Sequence, residues 1–166
     1  MTDVSAPSPG GSVGFLLSQL GSANARWFHE TLVPVGLEPR QFAILRFVSE
    51  DEGRSQQALG EALDIAPSRM VAFIDELEER GLVERRPNPS DRRARALYVT
   101  KEGRRLLAAA MKRALAHEAQ LCAPLTAEER EVLIEMLQRV AAGQGLLPGV
   151  HPELPTGGSP LHDHSH

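Results

Sequence analysis

Apolar residues recur three or four positions apart through most of the chain. In the first such stretch Leu16, Leu20, Ala23 and Trp27 share one face, and Pro34 then ends the run. This spacing is that of an amphipathic α-helix. The same period predicts further helices down the chain. The predicted helices cover about 13–32, 39–50, 55–63, 67–80, 100–122 and 126–142.

The period changes from helical to alternating after Gly81. Leu82–Arg86 and Arg93–Thr100 have the alternation of short strands, and a segment rich in Pro, Asn and Asp separates them. The two stretches therefore predict a β-hairpin with a basic tip. The fold class predicted for the whole chain is mainly α with one small hairpin.

Helix ends are marked by residues with known terminal preferences. Ser55 is a predicted N-cap and Pro67 a predicted first-turn residue. Gly81 stands where a helix C-terminus needs a left-handed residue. Thr126 and Glu129 have the spacing of a capping box.

Length and composition indicate one soluble domain with two tails. The chain has 166 residues, of which 42% are apolar, and no apolar run approaches the roughly 18 residues of a membrane span. Residues 1–12 and about 143–166 are rich in Gly and Pro and are predicted to be disordered tails. The N-terminus lacks a signal-peptide pattern, so we expect a cytoplasmic protein without a membrane partner.

Charge is distributed unevenly along the chain. The net charge is −4, yet residues 80–105 hold nine basic and three acidic side chains, a local charge of +6. A basic segment on an acidic body suits a protein that contacts a polyanion selectively. A solvated charged face is the simpler alternative.

The order of short helix, tight turn, second helix and basic hairpin is that of a winged helix-turn-helix. The second helix would enter the major groove of DNA with Ser68 and Arg69 reaching base edges or phosphates, and Ala72 is suited to a thymine methyl group. Ser55 and Gln56 would face phosphate from the bracing helix. The hairpin would bring its arginines to the backbone or minor groove.

Three motifs resemble the MarR family of bacterial transcription regulators. They are Leu77–Val83, the Asp-x-Arg-x-Arg wing pattern at Asp91, Arg93 and Arg95, and Leu97–Gly103. The resemblance covers about residues 15–142. It implies a winged domain at about 37–100 and dimerisation helices at about 13–34 and 100–142.

The resemblance also assigns roles within the wing. It implies that one of Arg93 and Arg95 contacts DNA while the other could pair with Asp91. Arg85 and Arg86 support the wing base, where an ion pair is as good an interpretation as a DNA contact. The predicted DNA-binding residues are Ser55, Gln56, Pro67, Ser68, Arg69, Ala72, Arg86, Arg92, Arg93 and Arg95.

The resemblance further implies a homodimer that binds a pseudo-palindromic operator. It also implies repression that a small aromatic or phenolic effector relieves. The long apolar end helices independently favour a dimer. Trp27 could equally fill the core, as large aromatic residues usually do. The candidate effector-pocket residues are Arg26, Trp27, His29, Phe42 and Phe73.

Other classes of function find less support in the sequence. No constellation of catalytic residues stands out, so we expect neither an enzyme nor a cofactor. The lone Cys122 suits a buried apolar position better than a sensor, and histidines in a flexible tail make a poor metal site. A winged-helix module that binds another protein is the alternative, although such a module does not need three arginines at its hairpin.

Overall fold

The computed structural model describes residues 11–88, 95–146 and 149. A 3-10 turn, Val33–Val35, follows the first helix. Most of the predicted C-terminal tail, with its histidines, lies outside the described residues, as do residues 1–10. The helices are α1 (Val13–Leu32), α2 (Pro39–Glu50), α3 (Gln56–Ala62), α4 (Pro67–Glu79), α5 (Lys101–Leu121) and α6 (Ala127–Gly143), and the strands are β1 (Val83–Pro87) and β2 (Arg95–Val99).

The predicted mainly helical fold with one hairpin is confirmed. The strand bounds differ slightly from prediction: β1 begins at Val83 and β2 at Arg95. Antiparallel pairing runs from Val83 opposite Val99 to Pro87 opposite Arg95. The segment before α3 lies along β2, since the Leu97 amide donates to the Arg54 carbonyl at 3.0 Å. This contact covers one edge of the hairpin.

The core lies where α2, α3, α4, the hairpin and the first half of α5 meet. Ile44, Leu45, Ile74 and Leu97 are at most 1% exposed there. The predicted inward stripe of α4 holds for Met70, Ile74 and Leu77, which are all buried. These elements therefore form one packed unit, the winged unit.

Local signals at the helix ends behave as predicted. The Ser55 hydroxyl accepts a hydrogen bond from the Ala58 amide, and Gly81 adopts a φ of +68° after α4. Thr126 and Glu129 form the reciprocal capping box of α6. Such caps satisfy backbone groups that a helix end leaves unpaired.

The apolar faces of α1 and α6 are largely uncovered within one chain. No residue of α6 is buried, and in α1 only Leu32 is. On the apolar side of α5, Ala114 packs against the core while Leu115 is 64% exposed. None of the helices in the described part of the chain combines the length and apolar character that a membrane crossing requires.

Candidate nucleic-acid interface and effector cleft

Helix α4 presents a polar and small-residue face to solvent. The residues exposed on this face are Ser68, Arg69, Val71 and Ala72. The opposite face, with Met70, Ile74 and Leu77, is buried. Pro67 begins the helix and is also exposed. This 13-residue helix has the length and exposure that reading a major groove requires.

The two residues predicted to meet phosphate from α3 have intramolecular contacts. Ser55 Oγ caps the helix by accepting from the Ala58 amide at 3.1 Å. Gln56 Oε1 accepts from Arg85 Nη2 at 2.9 Å. Both residues thus shape the N-terminus of α3, and their contact with DNA stays a prediction.

The end of the paired strands nearest the hairpin tip holds two of the predicted DNA-binding arginines. Arg95 is exposed at the start of β2. Arg86 lies 4.5 Å above the ring of Tyr98 and forms an ion pair with Glu84. That hydrogen-bonded carboxylate raises the pKa of the Arg86 guanidinium. Asp91, Arg92 and Arg93, the predicted tip, lie outside the described residues.

Arg85, next to Arg86 in β1, contacts α3 and α4. Its guanidinium donates to Asp75 at 2.5 Å, to Gln56 and to Glu78. Its own backbone amide also donates to Glu78, at 3.1 Å. Burial opposes charging of this group, but the hydrogen bonds to Asp75 and Glu78 outweigh it and raise the pKa of Arg85. The wing-stabilising interpretation of this arginine is therefore the one that the geometry favours.

The five candidate effector residues do not line one cavity. Phe42 belongs to the core, and Phe73 lies beneath the Arg40 guanidinium at 4.7 Å. His29 contacts Glu38 at 3.1 Å, across the turn that leads into α2. Arg26 is exposed on α1. Of the five, Trp27 alone lines the cleft between α1 and α5, and it is 43% exposed rather than a core residue.

The cleft between α1 and α5 has a volume of about 470 Å³. Of its lining residues, His117 has Nε2 2.7 Å from Asn24 Oδ1 and Nδ1 3.4 Å from the hydroxyl of Thr31. Glu30 is the charged carboxylate of the lining, and neither Lys nor Arg is among the six lining residues. These residues are Trp27, Glu30, Thr31, His117, Gln120 and Leu121.

Comparison with known proteins places this architecture. The family model described as the MarR family matches residues 35–94. The transcriptional regulator HosA of Escherichia coli is 32% identical over 116 residues, which are 70% of this chain and 84% of HosA. The chain belongs to the MarR family.

Two solved structures of the repressor CouR are similar to this MarR-family chain. One, bound to a 23-mer DNA duplex, is 36% identical with a TM-score of 0.71 and covers 78% of this chain and 92% of CouR. The other, CouR from Rhodococcus jostii RHA1 bound to p-coumaroyl-CoA, is 32% identical with a TM-score of 0.70 and covers 88% and 99% of the two chains. Together these relatives identify the chain as a DNA-binding transcriptional regulator.

Sequence reasoning missed His117, Gln120 and Glu30 in the cleft of this MarR-family chain. One signal was present: His117 continues the apolar stripe of α5 that passes through Leu107 and Ala114. A histidine on such a stripe indicates a polar site within a packed face. Which helix it faces depends on tertiary packing, which spacing alone does not give.

Proposed function

We propose that the protein is a homodimeric repressor that binds a pseudo-palindromic operator and releases it when an aryl ligand occupies the cleft between α1 and α5. The observation that carries the DNA-binding part is the exposed face of α4 beside a basic hairpin. Its support is CouR on a DNA duplex, which is similar over most of both chains.

The exposed apolar faces support the homodimer. Phe15, Leu20, Val132 and Met136 are each about half exposed, at 49–55%. Apolar surface of this extent on two helices usually marks an interface. A two-fold dimer would place two α4 helices about one DNA turn apart, roughly 34–36 Å, so the operator would carry an inverted repeat.

The chemistry of the cleft narrows the ligand class. A flat ring would stack on Trp27, and an aryl hydroxyl could donate to the carboxylate of Glu30. A free carboxylate would meet Glu30 with no lining Lys or Arg to balance it, and an unpaired charge is costly to desolvate. We therefore favour a neutral hydroxyaryl acyl group, such as a thioester, over the free aromatic acid.

Selection of duplexes from a random pool by the full-length protein tests the DNA-binding part. We expect enrichment of an inverted repeat, and a binding constant that falls steeply with salt, with a log–log slope of about −0.9 for each phosphate neutralised. No enriched sequence combined with a flat salt response would contradict it. Those results would favour a winged module that binds another protein.

The enriched duplex then serves to test the ligand. We expect p-coumaroyl-CoA to release the duplex at lower concentration than free p-coumarate, with coenzyme A alone as the control. Trp27→Ala should weaken release without weakening DNA binding. Equal potency of coenzyme A and its thioester would exclude recognition of the aryl group.

A further inference from the structure

The guanidinium of Arg85 connects three elements of the proposed DNA-binding surface, which are β1, α3 and α4. Arg85 lies in the middle of β1, where the wing begins, and donates to Asp75 and Glu78 on α4. It also donates to Gln56, the first residue of α3, at 2.9 Å. The wing, the recognition helix and the bracing helix therefore meet at a single planar group.

Along β1, apolar packing holds only the root of the wing, whereas β2 stays buried as far as Ala96. Val83 is 1% exposed, whereas Arg86 and Pro87 farther along β1 are exposed. Arg85 comes between them, and its side chain is 20% exposed against 53% for Arg86. Among the described residues of β1, Arg85 is therefore the last whose side chain packs back onto α4.

The surroundings of Arg85 do not favour phosphate. Asp75 and Glu78 outweigh its single positive charge, so the formal charge of the cluster is negative. Three of its contacts are to acceptors within the protein. A group so engaged can fix geometry but offers little attraction to a polyanion.

We infer that Arg85 is a positioning residue for operator recognition, which sets the wing relative to α4 and α3 without contacting DNA itself. The inference rests on the proposed sequence-specific binding of duplex DNA. An operator is recognised when the helix and the wing meet the duplex together, so their relative position affects specific binding most. Binding to any duplex requires only a basic surface.

Lysine cannot replace arginine in this arrangement. The guanidinium is a planar fork with five donors, and it reaches side chains on two helices at once. An ammonium group keeps the charge but concentrates its donors at one point. Arg85→Lys therefore separates geometry from charge.

The experiment compares Arg85→Lys with the wild-type full-length protein on two duplexes. One is the duplex that the wild type enriches from a random pool, and the other is a scrambled duplex of equal composition. We expect affinity for the enriched duplex to fall about 10-fold or more and affinity for the scrambled duplex to change less than about 3-fold. The reason is that a displaced wing disturbs mainly the sequence-specific contacts. The slope of affinity against salt should stay unchanged.

Two further variants make the result specific. Arg105→Lys, in an exposed ion pair on α5, keeps charge in the same way and should leave both affinities unchanged. Glu78→Gln replaces one of the two carboxylate oxygens that accept from Arg85 with an amide donor, and should lower specific binding in the same direction as Arg85→Lys. It provides the same test if Arg85→Lys does not fold.

Three outcomes would overturn the inference. They are unchanged affinity for the enriched duplex in Arg85→Lys and Glu78→Gln, equal losses on both duplexes, or a loss in Arg105→Lys as large as that in Arg85→Lys. A wild-type protein that enriches no duplex would instead overturn the proposed function, and this inference with it. The two failures are thus distinguishable.

Discussion

The winged unit and helix α6 contain similar apolar residues but differ in what covers them. In the winged unit Ile44, Leu59 and Ile74 are at most 1% exposed. In α6 Leu133 and Leu137 are both 40% exposed, and the helix has no buried residue. The winged unit therefore has a core of its own, whereas α6 presents an apolar face that one chain leaves in solvent.

The boundary between these two regions runs along α5. Leu107 and Ala110, in its first half, are buried against the winged unit. Leu115 and Leu121, in its second half, are 64% and 37% exposed. One continuous helix therefore links a region that is buried within the chain to a region whose apolar side chains one chain leaves exposed. Burial contributes about 25 cal/mol per Å² of apolar surface. Covering the exposed apolar face of α6 would therefore stabilise the protein substantially.

The largest expected effect follows from charging the uncovered face. We expect Leu133→Glu with Leu137→Glu to raise the dimer dissociation constant at least about 100-fold, because an unpaired carboxylate costs several kcal/mol in an apolar interface. The winged unit should stay folded, since neither side chain belongs to its core. Sedimentation equilibrium and circular dichroism measure the two effects.

The control for this double variant is Glu128→Gln, in the first turn of the same helix. It changes charge at an exposed polar position and should leave the association state unchanged. A double variant that remains as dimeric as the wild type would show that α6 is not the interface. A monomer that loses its cooperative melting would show that the winged unit is not complete by itself.

Sequence predicts the fold well because its signals are local. Pro34 and Gly36 follow α1 and limit its end, and Ser55 and Thr126 cap α3 and α6 as their residue types require. Gly81 has the positive φ that its position demands. Each of these choices depends on a few neighbouring residues, so spacing and residue type are sufficient.

The site is harder to predict because it depends on which elements meet. Alternation puts Arg85 and Arg86 on opposite faces of β1, but it does not say which face meets α4. Likewise, helical spacing groups Trp27 with an apolar stripe and does not reveal that His117 lies across from it. The contacts of a side chain that joins two elements can therefore be assigned only from the tertiary structure.

The second prediction compares Gly103 in the winged unit with Gly21 in α1, a helix whose apolar face is uncovered like that of α6. A Cβ on Gly103 would lie 2.1 Å from the carbonyl oxygen of Leu82 and 2.8 Å from Val99 Cγ1. We expect Gly103→Ala to lower the free energy of unfolding by about 1–3 kcal/mol or more, as overpacking does. Urea denaturation monitored by circular dichroism measures it.

The matched variant is Gly21→Ala in the middle of α1. Among the described residues, apart from the chain neighbours and the helix's own backbone, no heavy atom lies within 4 Å of the added Cβ. Here we expect a gain of about 0.5–1 kcal/mol, since alanine is the better helix former. Equal changes in the free energy of unfolding for Gly103→Ala and Gly21→Ala would contradict the difference in packing between the two positions. A loss at Gly21 together with weaker association would place this glycine in the interface.

The smallest expected effect concerns the exposed pair of Glu102 and Arg105 in the first turn of α5. Arg105 Nη2 lies 2.5 Å from Glu102 Oε1, and the hydrogen bond lowers the pKa of this carboxyl below its ordinary value. A lowered folded-state pKa means that the pair stabilises the protein above the ordinary carboxyl pKa, and that this contribution is lost as the pH falls through the folded value.

Arg105→Gln should raise the pKa of Glu102 in a carboxyl NMR titration and hardly change the melting temperature at neutral pH, because exposed pairs contribute little. Arg113→Gln, on the same helix, should leave that titration unchanged. A large drop in melting temperature on Arg105→Gln would show that surface charge, and not only apolar burial, separates the stable region of this chain from the incomplete one.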